Sequence, residues 1–239
     1  MARIVKAFAI ALLSLAAAPF AAAEVHLKSD TINGMTVRYK VVTPPNYDPA
    51  KAYPAVLAFP PGPQTMDMVD ATLFQNFRDE AEKRGYIVIE PAAPGMTFIR
   101  GGDRIFPAFI EKMLTDYKIQ NNKFHAAGNS NGGRAAFLVA SKYPQHFWSV
   151  TGFPGLLEEG TPQQMANLAK MCIHMFVGEH DPQWIEAMRG QTAAFQAAGT
   201  KFTYVVERGE SHVIRGLEYE GATRLYDQFD AARKVACAK

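Results

Sequence analysis

Residues Gly128-Asn129-Ser130-Asn131-Gly132 match the pattern G-x-S-x-G. They fall between a short apolar run and a helical stretch, where a chain that turns sharply would hold a serine hydroxyl out for attack. The glycines permit the turn, and the helix that follows points its N-terminal amides at the place where negative charge would develop. A serine hydroxyl is a poor nucleophile at neutral pH. It needs a base, and the base needs a carboxylate to orient it. Where this motif carries chemistry, the partners follow in the order serine, acid, histidine. Downstream, an apolar run at 172–177 leads into Gly178-Glu179-His180-Asp181, and a second at 202–207 leads into Gly209-Glu210-Ser211-His212. Ser130, Asp181 and His212 therefore form a candidate nucleophile–acid–base set.

Other residues compete for these roles. Glu179 is an alternative acid and His180 an alternative base. A metal cluster of Glu179, His180 and Asp181 lacks a distant further ligand at any recognisable spacing, so no metal is expected. His26, His125 and His174 lie in or beside strand-like runs, where a structural role is expected, and His146 sits where a helix would end. An oxyanion formed at Ser130 would need two backbone donors. One expected donor is the amide of Asn131. The other should come from the loop 59–65, where Pro60, Pro61 and Pro63 have no N–H to give. Gly62 is the first candidate and Gln64 the second. Met96, Phe98 and Trp184 are candidate apolar walls of a substrate cleft, with Gln64 beside them.

These residues need a scaffold. A short apolar run at 55–59 reads as a strand buried on both faces, and the stretches 86–90, 124–127, 148–153, 172–177 and 202–207 read as further strands. Two earlier strands, 25–28 and 35–43, flank Asn33-Gly34 and read as an antiparallel hairpin. Helical spacing marks residues 73–81, 105–117, 132–143, 162–168, 184–198 and a final stripe at Ala222, Leu225, Tyr226 and Phe229. Eight strands with crossover helices predict an α/β fold with a mostly parallel, doubly wound sheet and no separate lid domain. In such sheets ligands bind at the carboxyl ends of the strands, where Ser130, Asp181 and His212 all fall.

The first 23 residues read as a leader rather than as fold. Arg3 and Lys6 precede an apolar run of about a dozen residues, too short to span a bilayer comfortably, and Ala21-Ala22-Ala23 suits a signal peptidase. Cleavage after Ala23 would leave 24–239 as a single catalytic domain that is secreted or periplasmic; an uncleaved anchor is the alternative. Of 25 basic residues, loss of Arg3 and Lys6 leaves 23, against 23 acidic ones. A neutral chain gives no electrostatic case for nucleic acid or for a membrane as partner. Cys172 and Cys237 could pair in an oxidising compartment, or could stay as a buried and a terminal thiol.

The nucleophile region, with Tyr117-Lys118-Ile119 and Asn122-Lys123-Phe124 before it and Lys142-Tyr143-Pro144-Gln145-His146-Phe147 after it, resembles that of the polyhydroxybutyrate depolymerases and the related feruloyl and acetyl-xylan esterases of the α/β-hydrolase superfamily. Pro54-Ala55-Val56-Leu57, leading to Gln64-Thr65, fits as well, and the resemblance covers about residues 35–230. Members typically carry His-Gly where this chain has Pro60-Pro61; the donor that follows maps onto Gly62. The resemblance implies hydrolysis of small or polymeric carboxylic esters outside the cytoplasm, without cofactor or metal. Two other readings stand beside it, a serine peptidase of the same fold and a degenerate hydrolase fold used as a binding module.

Overall fold

The computed structural model describes residues 22–235 and 237. The expected leader thus lies outside the described residues except for Ala22 and Ala23. The first strand begins directly after it.

Eight strands form one sheet: β1 (Glu24–Ile32), β2 (Met35–Thr43), β3 (Tyr53–Phe59), β4 (Ile87–Pro91), β5 (Ile119–Gly128), β6 (Phe147–Gly152), β7 (Cys172–Gly178) and β8 (Thr203–Glu207). Their order is β1-β2-β4-β3-β5-β6-β7-β8. The pairings β1–β2 and β2–β4 are antiparallel and the rest parallel. The opening hairpin turns at Asn33 and Gly34, with φ of 51° and 78°. Positive φ at both central residues is what a tight hairpin turn matched to strand twist requires.

Continuous apolar runs reflect burial on both faces. Ala55, Leu57 and Phe59 of β3 point into one core layer, and Val56 and Ala58 into the other. The first layer is covered by α3 (Ala108–Asp116), α4 (Asn131–Lys142), α5 (Pro162–Leu168) and α6 (Pro182–Ala197). The second is covered by α1 (Met66–Thr72), α2 (Arg78–Arg84) and α7 (Thr223–Lys234). The mostly parallel doubly wound sheet expected from the strand pattern is the one observed.

Two helical expectations shift. The stretch 105–117 becomes helical only at Ala108, because Pro107 pushes Phe106 into extended backbone (φ −87°, ψ 146°). Residues 73–81 belong to a longer path in which a π turn, Leu73–Phe77, joins α1 to α2. Cys172 and Cys237 form a disulfide, with Cα atoms 4.9 Å apart, which ties the end of the chain to β7.

Candidate active site

The carboxyl ends of the parallel strands share one edge of the sheet, and three loops there carry the candidate residues. Ser130 follows β5 at φ 57° and ψ −118°. Such a conformation is sparsely populated for a residue with a side chain and must be held by its surroundings. The Ser130 amide donates to Pro154 O at 2.8 Å. Helix α4 also lies hard against β3: a Cβ on Gly132 would sit 2.0 Å from Phe59 O, so the backbone can come this close only with glycine there.

Asp181 precedes α6 and His212 follows β8. The two loops are stitched together by Glu179 N donating to Glu207 O at 2.9 Å and His180 N to Glu210 O at 2.8 Å. A Cβ on Gly178 would lie 2.1 Å from Ser211 O, so this approach also requires glycine. The three side chains meet: His212 Nδ1 is 2.6 Å from Asp181 Oδ2, and His212 Nε2 is 2.9 Å from Ser130 Oγ. The competing residues turn elsewhere. Glu179 accepts from Gly209 N at 2.8 Å, and His180 is exposed. His125 is buried beside Ser149 Oγ at 2.8 Å. Burial pushes the imidazoles of His125 and His174 down, the latter to about 4.

Two amides on one cleft, those of Asn131 and Gly62, are free to donate among the described residues. Asn131 is the first residue of α4, and its N–H has no partner within the helix. In the loop after β3, Gln64 N donates back to Pro61 O at 3.1 Å, which removes it as the alternative donor. Gly62, at φ 57°, keeps an N–H with no hydrogen bond among the described residues. The side chain of Asn131 ties the two together, donating to Gly62 O at 2.9 Å.

Gln64 and Phe98 are not cleft walls, contrary to expectation. Gln64 is fully buried and works as a bracket: Nε2 donates to Pro60 O at 3.1 Å, and Oε1 accepts from Phe98 N at 2.7 Å. Phe98 is fully buried, edge-on to Phe59 at 5.7 Å. A polar residue after three prolines and an aromatic in a glycine-bounded loop look exposed in sequence, but long-range packing buries both. Met96 remains exposed on the rim of a cleft of about 540 Å³ beside Gly62 and Asn131. Trp184 lies 5.6 Å from the His212 ring.

Arg100, Arg134 and Glu158 also line this cleft, and the motif reading missed all three. Arg134 was within reach of it, because a residue four positions after Ser130 on a helix shares its face. The guanidinium of Arg134 stacks on Trp184 at 4.5 Å, pairs with Glu158 at 3.0 Å and donates to Asn131 Oδ1 at 3.3 Å. Among the described residues no group of three or more His, Cys, Asp or Glu side chains could hold a metal ion, and no helix is long and apolar enough to cross a membrane.

No protein-family model matches the chain. Among curated proteins it is similar to dipeptidyl-peptidase 5 of Porphyromonas gingivalis, 27% identical over 139 residues that take in 53% of this chain and 20% of that protein. The chain thus spans about a fifth of the length of that relative. Among solved structures it is similar to a protein of Bacteroides ovatus provisionally assigned as a dipeptidyl aminopeptidase IV (TM-score 0.69, 16% identity, 89% of this chain and 36% of that one). It is also similar to a ferulic acid esterase (TM-score 0.65, 15% identity, 90% and 99%) and to the feruloyl esterase module of Clostridium thermocellum, solved with sinapinate (TM-score 0.66, 16% identity, 88% and 87%). The fold is that of the α/β-hydrolases.

Proposed function

We propose that this chain is an exported serine esterase that hydrolyses carboxylic esters through Ser130, His212 and Asp181. The observation that carries the reading is the continuous path from Ser130 Oγ through both ring nitrogens of His212 to Asp181 Oδ2, at 2.9 and 2.6 Å.

Asp181 accepts from Nδ1–H, which leaves Nε2 as the acceptor for the serine proton. As Ser130 Oγ bonds to the ester carbonyl carbon, that proton passes to His212, and Asp181 stabilises the imidazolium. The carbonyl oxygen becomes an oxyanion facing the amides of Asn131 and Gly62. Collapse of the intermediate breaks the bond to the alcohol, which leaves with the proton from His212. Water then attacks the acyl-enzyme by the same path and releases the acid. Trp184, its ring tilted 42° to that of His212, and Met96 on the rim border the space for substrate. The leader at 1–23, cleaved after Ala23, would place the enzyme in the periplasm or outside the cell.

Similarity to two dipeptidyl peptidases supports a second reading, a serine peptidase with the same triad. A fluorophosphonate probe should label Ser130, and Ser130→Ala should abolish the label. On the same preparation of folded protein left unexposed to the probe, 4-nitrophenyl esters and methyl ferulate compared with dipeptidyl 4-nitroanilides distinguish the two activities. Turnover of the anilides alone would refute the esterase, and absence of labelling on folded protein would refute both.

A further inference from the structure

The cleft beside the nucleophile is charged in a way that the triad does not need. It borders Gly62 and Asn131, and its walls bring together Arg134 from α4, Arg100 from the segment after β4, and Glu158. No residue of the His212 loop lines it. His212 must stand beside the departing alcohol, so the group that fills this cleft is the acyl part of the ester. Thr97 and Asn131 make the lining polar rather than greasy.

Arg134 is held in place. Trp184 stacks on its guanidinium at 4.5 Å, its Nη1 reaches Asn131 Oδ1 at 3.3 Å, and its Nε is buried without a hydrogen-bond partner. Its remaining strong contact is Glu158 Oε1 at 3.0 Å from Nη2. Glu158 is 47% exposed, and an ion pair so open to water contributes little to stability, so another carboxylate can displace it at small cost. Arg100 is exposed and has no ion pair among the described residues. Two arginines against one glutamate leave the cleft with a net positive charge.

Resting on the esterase reading, we propose that the preferred substrates carry a carboxylate on the acyl group, which replaces Glu158 on Arg134 and faces Arg100. Glu158 marks the spot, because it shows that a carboxylate fits against this guanidinium within the cleft. A planar guanidinium with parallel N–H groups favours such an anion over an uncharged chain end.

The test uses two esters with the same leaving group and acyl chain length, mono-4-nitrophenyl adipate and 4-nitrophenyl hexanoate, which differ in a terminal carboxylate against a methyl. The kcat/KM ratio of adipate to hexanoate should be about 10 or more at low ionic strength, the scale of a hydrogen bond to a charged group, and should shrink as salt is added. Arg134→Gln should bring the ratio to about one, and Arg100→Gln should lower it several-fold (a charge on the rim has the smaller effect). Glu158→Gln should raise it, because the competing carboxylate is gone. A ratio is read because Arg134 also touches Asn131, so its loss can depress turnover of both esters. Wild-type preference for hexanoate, or a ratio unmoved by Arg134→Gln and Arg100→Gln, would overturn the inference and leave the esterase standing. Failure to hydrolyse either ester, together with absence of fluorophosphonate labelling, would remove the esterase reading and this inference with it.

Discussion

The contact that most directly joins packing to catalysis is the bond from Asn131 Nδ2 to Gly62 O at 2.9 Å. It links the two amides proposed to receive the oxyanion, one on the rigid helix α4 and the other on a loop. Asn131→Ala keeps the helical amide and removes the tether. A part-buried neutral hydrogen bond is worth about 1 kcal/mol net, so stability should fall by about that much. The same free energy sets how well the loop is held: without it Gly62 should leave its competent position often enough to lower kcat by up to about 5-fold. Complete loss of one oxyanion donor would cost about 10²–10³. The smaller figure is expected because Gln64 still anchors the far side of the loop through Pro60 O and Phe98 N. KM should move little, since the oxyanion exists only beyond the ground state. Asn131→Asp, nearly the same shape, cannot donate and sets a carboxylate against a carbonyl oxygen, so it should be worse than alanine. The assay is kcat and KM on 4-nitrophenyl acetate, with folding checked by circular dichroism. A kcat within twofold of wild type in folded Asn131→Ala would refute the tether, and a drop of 10³ would mean that Gln64 anchors nothing.

Asp181→Asn should leave the fold intact and lower kcat by roughly 10³–10⁴, through loss of the His212 tautomer it imposes; if Glu179→Gln is the more damaging change in a side-by-side assay, the acid is misassigned. Reducing the disulfide opens a link across 65 residues, for which chain entropy predicts a loss of about 4 kcal/mol; urea midpoints with and without reductant measure it, and unchanged midpoints would contradict it. His174, its ring nitrogens buried and its pKa lowered to about 4, binds its proton less readily folded than unfolded, where the value is about 6.5. The unfolded state therefore takes up more protons between these values, and stability should fall by about 3 kcal/mol as the pH drops from about 6.5 to 4. His174→Gln should flatten that part of the stability–pH curve, and an unaltered slope would show that His174 is not its source.

What could be read from sequence, and what could not, divides by the range of the interactions involved. Strands β3 to β7 announce themselves as short apolar runs because the helices of both layers bury both of their faces, a condition each run records locally, whereas edge strand β8 is only partly buried, with Val206 43% exposed. The loops that carry Asp181 and His212 were legible for a related reason, since each directly follows such a run and the carboxyl ends of parallel strands share an edge. The Ser130 turn was legible because its glycines answer to contacts that tolerate no side chain, as at Gly132 against Phe59 O. Gln64 and Phe98 answer to partners 34 residues apart in the chain, and nothing near either in sequence signals that they bond to each other and are buried. The same holds for Arg134, whose neighbours Glu158 and Trp184 arrive from two later connections. The triad geometry is thus set by features that local sequence records, while the walls of the cleft are set by pairings between distant segments. Residues that choose the substrate belong to the second kind, so a chain can declare its chemistry in one short motif and still hide its specificity until the segments around that motif are brought together.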